Sequence, residues 1–109
     1  MYKRISDYGV IGDLRTVALV GLDGSIDWLC LPQIDSSPIF CALLDDAKGG
    51  SFSISPETEW DSTAHYESET NILCTRFRTR TGVATVTDFM TVPLCGEEER
   101  ESLGSGLYR

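Results

Sequence analysis

A chain of 109 residues has room for one domain or one piece of a larger one, and it buries ~65% of its unfolded surface, enough for one modest core without covalent staples. Its formal charge of −8 and pI near 4.4 argue against nucleic-acid or anionic-membrane partners, because phosphate-rich surfaces attract basic faces. No run approaches the ~18 apolar residues of a bilayer-spanning helix, and 41% hydrophobic with 24% charged residues is the balance of an ordinary soluble domain.

The opening MYKRISDYGV has no apolar stretch of the signal-peptide kind. The four cysteines, Cys30, Cys41, Cys74 and Cys95, form no CxxC pair, and His65 is the sole histidine, so zinc-site spacing is missing. Reduced, mostly buried thiols in a cytoplasmic protein are expected, with no metal and no cofactor.

In chain order, residues 8–11 suggest a short strand, and the β-branched run 15–20 and the run 26–31 suggest two longer ones. The residues between them contain Asp23-Gly24, which supplies the positive φ of a hairpin turn. Strict alternation would set Ile26, Trp28 and Cys30 on one face and Asp27, Leu29 and Leu31 on the other. Pro32 ends the strand, and residues 33–37 are loop. Ser36 or Ser37 could cap a helix beginning at Pro38, in which Ile39, Phe40, Leu43 and Leu44 fall at helical spacing before DDAKGG stops it. From residue 51 the pattern is β throughout: 51–55, 63–68, 71–80 and 83–89, the last two joined by Thr81-Gly82. The predicted fold is all-β and mainly antiparallel, a β-sandwich over residues 1–95 with one short helix after the second long strand. Residues 96–109, with Glu97, Glu98, Glu99 and Glu101, lack periodicity and are expected to be an acidic tail, disordered or cut in mid-element.

Asp27-Trp28 and Asp35 juxtapose carboxylates with an aromatic ring, the combination that binds sugars by hydroxyl hydrogen bonds and face stacking. The competing expectation places Trp28 in the core and pairs Asp27 with a cation such as Arg15. Asp13 after Gly12 could meet a sugar hydroxyl, or could hold its own loop by an Asx turn. Asp23 belongs to its turn. Trp60 and Tyr66 are further stacking candidates. Arg76, Arg78 and Arg80 share one strand face by period two; they could read an anion such as phosphate, but a solvated face opposed by Asp88 and neighbouring acids is expected. Seventeen acidic residues make accidental carboxylate pairs cheap, and a general acid needs a desolvated pocket that one small sandwich rarely supplies. There is no phosphate loop, no GxSxG and no HExxH.

The run Gly12-Asp13, Arg15 to Val20, Asp23-Gly24-Ser25-Ile26-Asp27-Trp28-Leu29-Cys30-Leu31-Pro32, Asp35-Ser36 and Ala42-Leu43-Leu44 resembles a known module. The likeness continues in Gly49-Gly50-Ser51-Phe52, in Thr70-Asn71-Ile72-Leu73 and in Val86-Thr87-Asp88-Phe89-Met90. It is similar to the N-terminal domain of prokaryotic family-fifteen glycoside hydrolases, the glucoamylase-like and trehalase-like enzymes. The resemblance implies a β-sandwich followed by an α/α-barrel that cleaves α-glucosidic bonds with inversion, using two barrel glutamates with no counterpart here. Leu14 stands where those relatives commonly have Gly, and Gln33-Ile34 where they often have Arg-Phe.

The expected function is therefore a non-catalytic sandwich that buttresses the barrel and lends a loop to its active-site rim, with Asp13, Asp27, Trp28 and Asp35 as rim or interface residues. No catalytic residue is assigned. The alternative is a carbohydrate-binding module stacking sugar on Trp28, Trp60 and Tyr66. Expected partners are the downstream barrel, an α-glucoside reached through it, and a second copy of the chain when the domain stands alone.

Overall fold

The structure is a computed structural model and describes residues 2–92 and 106–109. Among the described residues, after a short 3-10 turn at Ile5–Asp7, nine strands follow: β1 Tyr8–Gly12, β2 Val17–Gly21, β3 Ser25–Cys30, β4 Pro38–Phe40, β5 Phe52–Ser53, β6 Asp61–Tyr66, β7 Leu73–Arg78, β8 Val83–Met90 and β9 Leu107–Tyr108. The first sheet runs β1-β2-β3-β4, with β5 also on β3; the second runs β6-β7-β8-β9. Every pairing is antiparallel. The two sheets form the expected sandwich.

The core lies between the sheets, where Ile11, Ala18, Val20, Ile26 and Leu29 of the first meet Leu73 and Met90 of the second. A methyl group on Gly9 would come within 2.6 Å of Leu73, so the missing side chain lets β1 and β7 approach. Away from the core, the Tyr66 hydroxyl spans the sheets, accepting from Val10 N and donating to Val10 O, each at 2.8 Å. Asn71 adds a bond to Gly12 O at 3.0 Å.

Both predicted hairpins are present. Asp23 Oδ1 accepts from Ser25 N, and Gly24 sits at φ +78°, where a Cβ would in addition strike Ile54 O. Residues 79–82 join β7 to β8, with Thr79 N donating to Gly82 O.

The predicted helix does not form. Pro38–Phe40 instead pairs with Leu29 and Cys30 of β3, and the residues after it are turns closed by Leu44 N to Cys41 O and Gly49 N to Asp45 O. One or two isolated helical turns pay the cost of nucleation with few bonds in return, whereas the open edge of β3 offers a ladder at once. Phe40 still reaches the core, now from a strand.

Alternation in β3 also fails, for a local reason. Ala18 faces Leu29 and Leu19 faces Trp28, but Val20 faces Ile26, so Asp27 is the extra residue of a β-bulge. Ile26 and Leu29, three apart, both enter the core, and Trp28 does not share their face. Of the expected tail 96–109, residues 96–105 and Cys95 lie outside the described residues, while Leu107–Tyr108 pairs with Phe89 and Met90 as β9.

Candidate functional site

The bulge aims Asp27 at the outer surface of the first sheet, beneath the N-terminal residues. One of its oxygens accepts from Lys3 Nζ and from the Tyr8 hydroxyl at 2.6 Å; the other accepts from Ser25 Oγ at 2.6 Å. Lys3 also bridges to Asp23 at 2.9 Å. The cation for Asp27 is therefore Lys3 and not Arg15, which lies at the far end of β2. Asp27 is only 3% exposed. Burial opposes its ionisation, but the bonds from Lys3, Ser25 and Tyr8 outweigh burial and hold the carboxyl below its usual range. The same contacts act on their donors: burial and the bond to Asp27 push Tyr8 up to about 12. Burial works against the Lys3 charge, yet its two carboxylate partners raise its pKa on balance. This network stores a fixed negative charge. It does not offer a transferable proton.

Asp13 and Asp35 sit at the other end of the sheet. Asp13 Oδ1 accepts from Arg15 N and Thr16 N, both at 2.9 Å, the Asx turn weighed against sugar binding. Asp35 is exposed on a turn closed by Ser36 N to Gln33 O. Ile34 N donates to Arg15 O at 3.0 Å, so the two loops are joined. The groove between them and Asn71, about 390 Å³, is lined by Val10, Gly12, Leu14, Val17 and Ile34 rather than by the carboxylates. Leu14 holds φ +74°, a left-handed conformation that Gly adopts without strain; this is the physical sense of the Gly that the resemblance leads one to expect there.

The three aromatic candidates do not gather. Trp60 meets Phe77 edge-on at 5.1 Å, which places it against the 1%-exposed core ring. Tyr66 spends its hydroxyl on Val10. Trp28 is half-buried beside Leu19 on the outside of the first sheet. Register continues this outer row to Val10, which pairs with Leu19 and is 45% exposed, and Ile39 turns outward as Phe40 turns in. Arg76 and Arg78 occupy the exposed outer face of the second sheet opposite Thr63, Asp61, Thr85 and Val83, and Arg80 is exposed just beyond it. The outer face of the first sheet thus carries an apolar row beside the Asp27–Lys3 network, and the outer face of the second sheet is polar.

Asp88, expected opposite the solvated arginine face, is instead a buried charge paired with Arg109. It is fully buried on β8, with Arg109 Nε at 2.7 Å. The same guanidinium donates to Gly24 O at 2.6 Å and Phe52 O at 2.8 Å and lies 4.9 Å from the Phe52 ring. Burial raises the Asp88 pKa, partly offset by Arg109. A raised carboxyl suits a general acid, but both oxygens are occupied by the cation and no solvent reaches them. Arg109 instead ties the second sheet to the Gly24 turn and β5 of the first. No sequence pattern announces a partner 21 residues away.

Cys30, Cys41 and Cys74 are free thiols. Among the described residues no helix is long and apolar enough to cross a membrane.

A family profile described as "Trehalase-like, N-terminal" matches residues 2–102. The chain is 41% identical over 93 residues to a trehalase of Thermoplasma volcanium, covering 82% of the chain and 15% of that protein. It is 33% identical over 102 residues to a trehalase of Mycobacterium tuberculosis, covering 93% and 15%. It is 39% identical over 84 residues to Trehalase 1 of Sulfolobus acidocaldarius, covering 77% and 15%. No solved structure matches significantly. The chain spans about 15% of the length of these curated relatives, and on the profile match across nearly all of its residues it belongs to the family of trehalase-like N-terminal domains.

Proposed function

We propose that this chain is the non-catalytic β-sandwich of an α-glucoside hydrolase of trehalase or glucoamylase type, supporting an α/α-barrel that carries the acid and base. The observation that carries the reading is the fate of the carboxylates. Asp13 closes a turn, Asp27 is held ionised by three donors, and Asp88 is sealed under Arg109. An inverting hydrolase needs two carboxyls about 6.5–9.5 Å apart with a water between them, one of them protonated at working pH. These three acids are committed to the fold.

The outer row Val10, Leu19 and Trp28, with Ile39 beside it, is the surface that would bear on the barrel, since the opposite outer face carries Arg76 and Arg78. The joined loops of Asp13 and Asp35 are the segments that would reach an active-site rim. A cytoplasmic location fits three unpaired thiols.

The carbohydrate-binding alternative requires a shared aromatic platform, and Trp60 and Tyr66 are engaged elsewhere. Titrating tryptophan fluorescence with trehalose and with maltoheptaose separates the two. The scaffold predicts no saturable change for either sugar; a saturating change in the micromolar range would establish the binding module instead.

A further inference from the structure

Sequence spacing offers no metal site, but strand pairing brings three potential ligand side chains together. His65 of β6 lies directly opposite Cys74 of β7, so both side chains leave the outer face of the second sheet. Glu67, two residues beyond His65, returns to the same face, and its N–H continues the ladder to Ile72 O at 2.9 Å. His65 Nε2 is 3.7 Å from Glu67 Oε1, Cys74 Sγ is 3.2 Å from the same oxygen, and all three ligand atoms lie within 4.8 Å of one another. A tetrahedral zinc with bonds of about 2.0–2.3 Å spaces its ligands about 3.3–3.8 Å apart. Two of the three separations are already close to that edge.

We propose that His65, Glu67 and Cys74 bind a zinc-class divalent cation. Imidazole nitrogen, thiolate sulfur and carboxylate oxygen are the donor set of zinc rather than of calcium or magnesium, which select oxygen. On binding, the Cys74 thiol gives its proton to solvent and its sulfur bonds the metal in place of the present S–H bond to Glu67. The His65 and Glu67 side chains are 61% and 55% exposed, which leaves a fourth position open to water or to a ligand from another part of the enzyme. The ion would clamp the edge strand β6 to β7 one residue from Tyr66, whose hydroxyl joins the sheets. Metal occupancy is thereby coupled to the rigidity of the sandwich.

The test uses the chain stripped with chelator, with Zn2+ and Co2+ alone as probes. Expected are one tight zinc per chain by calorimetry, a rise in Tm with zinc, and a sulfur-to-cobalt charge-transfer band. His65→Ala and Glu67→Gln alter exposed side chains and should fold with unchanged metal-free Tm, yet weaken zinc binding by tenfold or more. Cys74→Ser should abolish the charge-transfer band, and Cys41→Ser should leave it intact. Zinc affinity unchanged in both His65→Ala and Glu67→Gln, or a cobalt complex without the sulfur band, would overturn the assignment.

Discussion

Replacing Arg109 by Gln isolates the cross-sheet clamp. Arg109 and Asp88 side chains are 3% and 0% exposed, so the variant strands a carboxylate with no solvent to take the place of the guanidinium. Breaking a buried ion pair from one side costs about 3–5 kcal/mol. The carbonyls of Gly24 and Phe52 lose donors as well, although Phe52 is near enough to solvent for water to replace most of that bond. Against a total stability of about 5–16 kcal/mol for a chain of this length, the loss is a large fraction. Urea unfolding at neutral pH should show the midpoint falling by more than about 1 M at unchanged slope. The pH dependence has a definite sign. Burial already raises the Asp88 pKa, and loss of Arg109 raises it further, so the folded variant holds that proton more tightly than the unfolded chain does. The unfolded carboxyl value of about 3.9 is common to both proteins, so the deficit should grow as pH rises through the already raised folded value of wild-type Asp88 and shrink in acid, where Asp88 is neutral in both. Adding Asp88→Asn to the variant should recover part of the loss. A deficit under about 1 kcal/mol, or one independent of pH, would show that the clamp does not hold the sheets.

Asp27→Asn should cost about 2–3 kcal/mol at neutral pH, read by urea unfolding, because it leaves the Lys3 ammonium half-paired. Since the folded Asp27 pKa is lowered, its contribution is complete above about pH 4 and is lost as pH falls through the folded value, so the two proteins should converge in acid. Leu14→Gly should raise stability by about 0.5 kcal/mol by relieving the left-handed backbone, and Leu14→Val, β-branched, should lower it; thermal melts of both decide. The isolated chain should self-associate through its apolar outer face, and Leu19→Lys should return it to monomer in sedimentation velocity. A parent chain that is cleanly monomeric at high concentration would count against that face as a docking surface.

Much of the architecture was readable in advance. Period-two runs and the Asp-Gly and Thr-Gly turns are local signals, and the strands they predict at β1, β2, β3, β7 and β8 all form. The errors arise where a distant partner decides. Residues 38–44 have helical spacing, but pairing with β3 wins a ladder that no local pattern reveals. Alternation around Trp28 breaks because one inserted residue, Asp27, has a lysine and a tyrosine from the N-terminus to satisfy it. Arg15 was the nearer cation in sequence and Lys3 the nearer in space. Arg109 and the His65–Glu67–Cys74 group fall in the same class, since their geometry exists only after the strands are in register. Asp13 shows the converse: an Asx turn needs only neighbours two and three residues away, and it was one of the two roles that Gly-Asp left open.

The purified chain, incubated at high concentration with trehalose, maltose and maltooligosaccharides, gives the most direct test of a scaffold without cleavage machinery. Glucose release should not rise above the blank for any of them, before or after zinc is added. Glucose release that persists through purification and disappears on mutating an acid of this chain would place the chemistry inside the sandwich and contradict the account.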